Sequence, residues 1–116
     1  MTNKNESNLD IPIDFKEYKT LLNYKGRISG HNYNISKLDN LENEINYTII
    51  NDLKSAKGIL IEFRINQKEN IFTLNKILIF IQESIDTDAV MIFGTKVDST
   101  LILGETSCKI LLTGLD

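Results

Sequence analysis

Apolar residues recur along this chain with two different periods, which predict helices in some stretches and strands in others. Three stretches repeat every three or four residues, as one face of an amphipathic helix does. Their apolar positions are Phe15, Tyr18, Leu21 and Leu22; Leu38, Leu41, Ile45, Ile49 and Leu53; and Leu74, Ile77, Leu78, Ile81 and Ile85. Asp14 is placed to cap the first helix, with Glu17 at the capping-box position, and Thr73 to cap the third.

Other stretches have the shorter period of a β-strand. "KGILIEFRIN" alternates strictly, which predicts a strand with one face in the core. "RISGHNY" alternates weakly, and the nearly continuous apolar run "AVMIFGT" is typical of an interior strand covered on both sides. "TSCKILLTG" follows without an intervening helix, so we expect the last two strands to pair antiparallel. The sequence therefore predicts an α+β fold, a two-layer sandwich of about four mixed strands with two helices on one face.

Length and composition limit the choice of protein class. The 116 residues are enough for one domain, which we place at residues 9–116, after a polar start (1–8) that is expected to be disordered. The net charge of −3 gives no basic surface for nucleic acid or membrane. One cysteine, no leader sequence and no apolar run of membrane-spanning length predict a cytoplasmic protein.

Few residues have the chemistry of a catalytic or metal site. His31 is the single histidine and has no ligand partners at a suitable spacing, so we expect a surface or strand residue. Cys108 lies in an apolar strand, where a free thiol usually packs as a small hydrophobic group. Arg64, beside Glu62, is expected to form a solvated ion pair. We predict no catalytic residue, no metal and no cofactor.

The second half of the chain resembles the C-terminal domain of the bacterial cell-division GTPase FtsZ. The resemblance covers "AKGILIEFRINQKENIFTLNKILIFIQESIDTDAVMIFGTKVD" and "CKILLTGLD". It rests on the order of four features: Ala56 with Gly58, Thr73 with Leu74, the segment 88–98, and Thr113 with Gly114. A Gly-Gly turn that is usual in the family is replaced here by "RINQKEN".

The resemblance extends to the acidic start of the first helix. In the FtsZ family a loop of the form Asn-x-Asp-x-x-Asp enters this region and projects into the nucleotide pocket of the next subunit. The corresponding positions here are Pro12, Asp14 and Glu17, so two carboxylates remain. The resemblance implies that Asp14 and Glu17 contact a partner. The alternative is that they only cap the helix.

The expected function follows from what the resemblance covers. The chain has six scattered glycines and no Gly-rich phosphate loop, so we expect no nucleotide to bind to this chain alone. The resemblance implies a stand-alone FtsZ-like protein without the GTPase domain, which binds full-length FtsZ or itself and does not catalyse a reaction. The alternatives are a small oligomeric enzyme with a site between protomers, and a degenerate domain without activity.

Overall fold

The structure is a computed structural model that describes residues 11–116; the predicted disordered segment 1–8 lies outside the described residues. Its helices are α1 (Phe15–Leu22), α2 (Leu41–Thr48), α3 (Ile50–Ser55) and α4 (Ile71–Ser84), with a short 3-10 helix at Leu38–Asn40. Its strands are β1 (Arg27–Ile35), β2 (Gly58–Ile65), β3 (Val90–Val97) and β4 (Thr106–Leu115).

The strands form one mixed sheet. Its order is β1-β4-β2-β3, with β4 antiparallel to both of its neighbours and β2 parallel to β3. The predicted α+β class with a mixed four-stranded sheet is confirmed. One face of the sheet carries three helices, α2, α3 and α4, where two were expected, and α1 lies on the other face. The weakly alternating stretch "RISGHNY" forms part of β1, which is continuous through Gly30.

Two predictions about strand positions are wrong. The apolar run expected to form an interior strand is β3, which lies at an edge of the sheet, and its successor β4 does not pair with it. The eight-residue connection 98–105 crosses the end of β2 instead, where Asn66 Nδ2 donates to the carbonyl oxygen of Leu101 at 2.8 Å. A continuous apolar run indicates that both faces of a strand are covered. It does not indicate that the strand has a neighbouring strand at both of its edges.

The helix boundaries also differ from the predicted ones. The second apolar stripe is divided at Ile49 (φ −129°, ψ 12°) into α2 and α3, although its apolar residues remain buried. Thr48 Oγ1 donates to the carbonyl oxygen of Glu44 at 2.7 Å, a bond that often bends helices. The cap of α4 is Asn70, whose side chain accepts from the Phe72 amide at 2.8 Å, rather than Thr73.

The main core lies between one face of the sheet and the helices α2, α3 and α4. Every second residue of β2 points into it, from Ile59 to Ile65, and each of these side chains is fully buried. The stripe of α4 predicted from the sequence supplies the opposite layer, with Leu74, Ile77 and Ile81 buried.

The first helix packs on the other face of the sheet. Gly58 lies on that face, and a Cβ there would approach Leu21 Cδ2 to 2.6 Å, while a Cβ at Gly94 would meet Ile13 Cγ1 at 2.5 Å. Both glycines therefore let α1 and the segment before it approach the backbone of β2 and β3 closely. None of the helices within residues 11–116 packs mainly on the same face of β1 and β4, so half of this face stays open in the described part of the chain.

Candidate functional site

The acidic start of α1 is positioned by the segment that precedes it. Ile11 and Thr95 exchange two backbone hydrogen bonds of 2.9 Å at the free edge of β3. The chain then passes over Gly94 and enters the helix at Asp14. Asp14 Oδ1 accepts from the Lys16 amide at 2.8 Å, so the predicted helix cap is confirmed. Since Asp and Asn cap equally well, the cap alone does not require a charge.

Both predicted site residues are exposed to solvent. The side chain of Glu17 makes no hydrogen bond or ion pair within residues 11–116, so it does not close the predicted capping box. Asp14 likewise has no ion pair in this part of the chain, although Lys16 and Lys19 lie on the same helix. Phe15, which lies between Asp14 and Glu17 in the sequence, is 64% exposed, and Lys19 Nζ lies 5.2 Å from the centre of its ring. The start of α1 thus presents two carboxylates and an aromatic ring to solvent.

A groove runs beside this helix over the open half of the sheet. Its volume is about 550 Å³, and Tyr18 and Ile13 form the wall on the side of α1. The floor is largely apolar, with Leu60 and Leu111, and it carries one opposite-charge pair of cross-strand neighbours, Glu62 and Lys109. The alternation of "KGILIEFRIN" puts Leu60 and Glu62 on the outward face of β2, but it did not predict the groove. The feature of the sequence that could have indicated the groove is Leu60, an apolar residue at a position of β2 that points away from the core.

A second exposed surface lies at the end of the sheet where β2 and β3 finish. Phe72 and Ile71 at the start of α4 are 76% and 45% exposed, and Ile102 and Leu103 in the β3–β4 loop are 68% and 61% exposed. The two loops are joined at this end, since the Gly104 amide donates to Glu69 Oε1 at 3.2 Å. No periodicity in the sequence indicated this cluster, because its members come from loops and a helix start.

The other residues singled out from the sequence have structural roles. Ser29 Oγ and His31 Nε2 are 2.8 Å apart, and no group of three or more metal-ligating residues occurs in the part of the chain that the structure describes. Cys108 is fully buried, and burial raises the pKa of its thiol well above the usual range. Arg64 pairs with Asp98 at 3.8 Å, so it belongs to an ion pair but not with Glu62.

Tyr33 is the buried tyrosine of β1. Its hydroxyl lies 2.6 Å from Thr48 Oγ1 and ties β1 to the end of α2. Burial raises the pKa of this phenol, an effect that the hydrogen bond to Thr48 opposes.

Across residues 11–116, no helix has both the length and the apolar character that crossing a bilayer requires.

Solved structures of the tubulin-like proteins FtsZ and TubZ are similar to this chain over most of its length. No protein-family profile and no curated protein matches the sequence. An empty FtsZ dimer from M. jannaschii superposes with a TM-score of 0.68 at 19% identity, over 90% of this chain and 32% of that chain. GDP-form protofilaments of TubZ from Bacillus thuringiensis serovar israelensis give 0.66 at 18% identity, over 97% and 32%.

A third similar structure is the four-stranded filament of TubZ-Bt, with a TM-score of 0.72 and 17% identity, over 97% of this chain and 30% of that chain. The chain therefore spans about a third of the length of each of these proteins. At these identities the likeness shows a shared fold. It shows neither catalysis nor its absence.

Proposed function

We propose that this chain corresponds to the C-terminal domain of FtsZ-like proteins and acts as a non-catalytic binding domain in filament assembly and cell division. The observation that carries the proposal is the exposed pair Asp14 and Glu17, which has no ion pair within residues 11–116. It occurs in a fold shared with proteins whose structures are described as dimers, protofilaments and filaments. The proposed partners are full-length FtsZ or a second copy of this chain.

The proposed mechanism is capping of a filament end. The start of α1 docks on the nucleotide-bearing end of an FtsZ filament through Asp14 and Glu17. Carboxylates at such a site orient water or a cation near a phosphate. The bound domain offers no nucleotide site of its own to the next subunit, so elongation stops at that end.

Co-sedimentation tests binding. The purified chain is mixed with FtsZ polymers formed with GTP, beside the double variant Asp14→Asn, Glu17→Gln, which removes both charges and retains a capping side chain. A matched control, Asp39→Asn, Glu83→Gln, removes two exposed charges from the opposite side of the sheet. We expect the native chain and the control to sediment with the polymer and the Asp14 variant to stay in solution. Equal sedimentation of all three would overturn the assigned surface.

Electron microscopy tests capping. Substoichiometric amounts of the native chain should shorten FtsZ filaments, and the Asp14→Asn, Glu17→Gln variant should not. Unchanged filament lengths with the native chain would refute capping, even where binding is observed.

Titration calorimetry tests the absence of a nucleotide site. We expect no heat of binding with GTP or GDP, because no backbone-amide cradle for phosphates is encoded in the sequence. A dissociation constant in the micromolar range would contradict the proposal.

A further inference from the structure

Within residues 11–116, the backbone groups at the outer edge of strand β1 are unpaired. The hydrogen bonds at the two ends of the β2–β3 pair show which way each backbone group of β2 points. The Val90 amide donates to the Lys57 carbonyl oxygen, and the Asp98 amide donates to the Ile65 carbonyl oxygen. The odd-numbered residues of β2 therefore bond to β3 and the even-numbered ones to β4. Carried across the two antiparallel registers, this alternation makes Ser29, His31, Tyr33 and Ile35 bond to β4. The backbone groups of the intervening residues point away from the sheet: Ile28, Gly30, Asn32 and Asn34.

The two edges of the sheet are treated differently. At the β3 edge, Thr95 is paired with Ile11. At the β1 edge, no hydrogen bond joins the outward backbone groups to any other residue of the described range 11–116. Residues 28–35 contain no proline and no Lys, Arg, Asp or Glu. The pairing of β1 with β4 has one irregularity, which spans Ile28 at the start of the strand, and its additional residue lies in β4, between Leu112 and Leu115. Proteins normally protect an edge strand with such features, and an edge without them pairs readily with another strand.

We propose that β1 pairs with β1 of a second copy of this chain, antiparallel and about a two-fold axis at His31. In this register Ile28 faces Asn34 of the second copy and Gly30 faces Asn32. It is the one symmetric register in which all four outward residues find partners, and it joins two sheets into a continuous eight-stranded one. The residues whose backbone groups point away from the sheet have their side chains on the open face. There is room on this face, because a Cβ at Gly30 would meet nothing closer than Leu111 Cδ1 at 4.0 Å.

Charge complementarity supports a second copy as the occupant. Arg27 has a loose ion pair with Asp52, at 3.8 Å, and its side chain is 56% exposed. In the proposed register it faces Ile35 of the second copy. A hollow of about 370 Å³ is lined by Ile35 and by Glu44, whose side chain has no ion pair in the described part of the chain. Each Arg27 thus reaches an acidic hollow at the far end of the opposite strand, twice in the dimer.

The proposed dimer is independent of the filament contact. It uses the β1 edge, whereas Asp14 and Glu17 lie at the start of α1 beyond the groove. A single pair of strands gives an interface below the standard size of about 1,600 Å², so we expect a weak dimer that forms at high protein concentration. Failure of FtsZ co-sedimentation would leave the dimer intact, and failure of the dimer would leave the co-sedimentation result unaffected.

Amide hydrogen exchange reads out the paired residues directly. It is measured by NMR on the native chain between about 10 and about 500 μM, a range that detects micromolar association. Protection should rise with concentration at Ile28, Gly30, Asn32 and Asn34, while the amides bonded to β4 are protected throughout. An unchanged exchange rate at all four residues at the highest concentration would overturn the proposal.

Cross-linking tests the register. At the two-fold axis the His31 residues face each other as a non-hydrogen-bonded pair, for which the Cα atoms lie about 4.5 Å apart, close enough for a disulfide. His31→Cys should give a covalent dimer on oxidation with diamide. Ser29→Cys is the matched control, because two Ser29 residues would be about 13 Å apart along the strands. The native Cys108 is fully buried and serves as the background. Equal cross-linking of both variants would refute the register.

A charge on the edge tests the association itself. Asn32→Lys adds a cation beside Lys109, its cross-strand neighbour, and should weaken the dimer at least about tenfold in sedimentation equilibrium. Asn75→Lys makes the same change on the exposed side of α4 and should leave the association unchanged. Equal association of the two variants would contradict edge pairing.

Discussion

The two halves of the sheet differ in how completely they are covered. In the β2/β3 half, Ile11 pairs with the edge strand. On the second face, α1 packs so closely that Gly58 has no room for a Cβ, and the segment before α1 does the same at Gly94. In the β1/β4 half, the edge is unpaired within residues 11–116 and Gly30 faces open space. Glycines in neighbouring strands therefore have different reasons to be there. Close packing requires a glycine at Gly58 and at Gly94, but it does not require one at Gly30.

Helix dimensions explain the difference. A helix with its side chains is about 10 Å wide, and neighbouring strands are about 4.8 Å apart, so one helix covers about two strands. The core face of this four-stranded sheet carries two columns of helices, α2 with α3 and α4. Among the helices of the described residues, the second face carries α1 alone. The open half thus has room for one more helix or for the surface of a partner.

The largest expected effect comes from removing the cover of the closed half. Leu21 of α1 is fully buried although it lies outside the main core cluster. Leu21→Ala should lower the free energy of unfolding by about 2 to 5 kcal/mol. Ile28, at 48% exposure on the open half, is the control, and Ile28→Ala should cost less than about 0.5 kcal/mol. Urea denaturation measures both. Similar losses for the two variants would mean that the halves are equally packed.

A smaller effect is expected from adding one methyl group to each half. Gly58→Ala forces the new Cβ against Thr113 Oγ1 and Leu21 Cδ2 and should cost about 1 to 3 kcal/mol. Gly30→Ala meets no such contact and should be neutral or stabilise the fold by up to about 1 kcal/mol. Thermal unfolding of the two variants measures the difference. A loss at Gly30 as large as at Gly58 would show that the open face is occupied in the free protein.

The elements whose signals are local could be predicted from the sequence. The alternation in "KGILIEFRIN" gave β2 and its inward face, and the spacing of Leu74, Ile77 and Ile81 gave the buried face of α4. Asp14 was recognisable as a cap because its partner, the Lys16 amide, is two residues away. These features depend on contacts within one element or on the average burial of one face.

Strand order and the groove could not be predicted in the same way. The chain passes from β3 to β4 without a helix, and nothing in either strand's own pattern says that β4 lies between β1 and β2. The groove exists because α1 lies over β2 and β3, which Gly58 and Gly94 permit from a distance in sequence. The exposed state of Glu17 was equally hidden, because capping-box spacing does not guarantee the bond.

Each half of the sheet has one ion pair, Arg64–Asp98 beside the closed edge and Arg27–Asp52 beside the open one. The smallest expected effect concerns the pKa of Asp98 in the first of these pairs. The Thr100 hydroxyl, 2.6 Å from Asp98 Oδ1, and the Thr100 amide lower the pKa of Asp98, with Arg64 contributing less. Because the folded pKa lies below the unfolded one, this stabilisation is present above the unfolded pKa and is lost as the pH falls through the folded pKa. Thr100→Ala should therefore raise the pKa of Asp98 towards its ordinary value, whereas Thr100→Ser, which retains the hydroxyl, should leave it low. Carboxyl-carbon NMR titration measures each pKa, and an unchanged titration in Thr100→Ala would show that Arg64 or the Thr100 amide alone is sufficient.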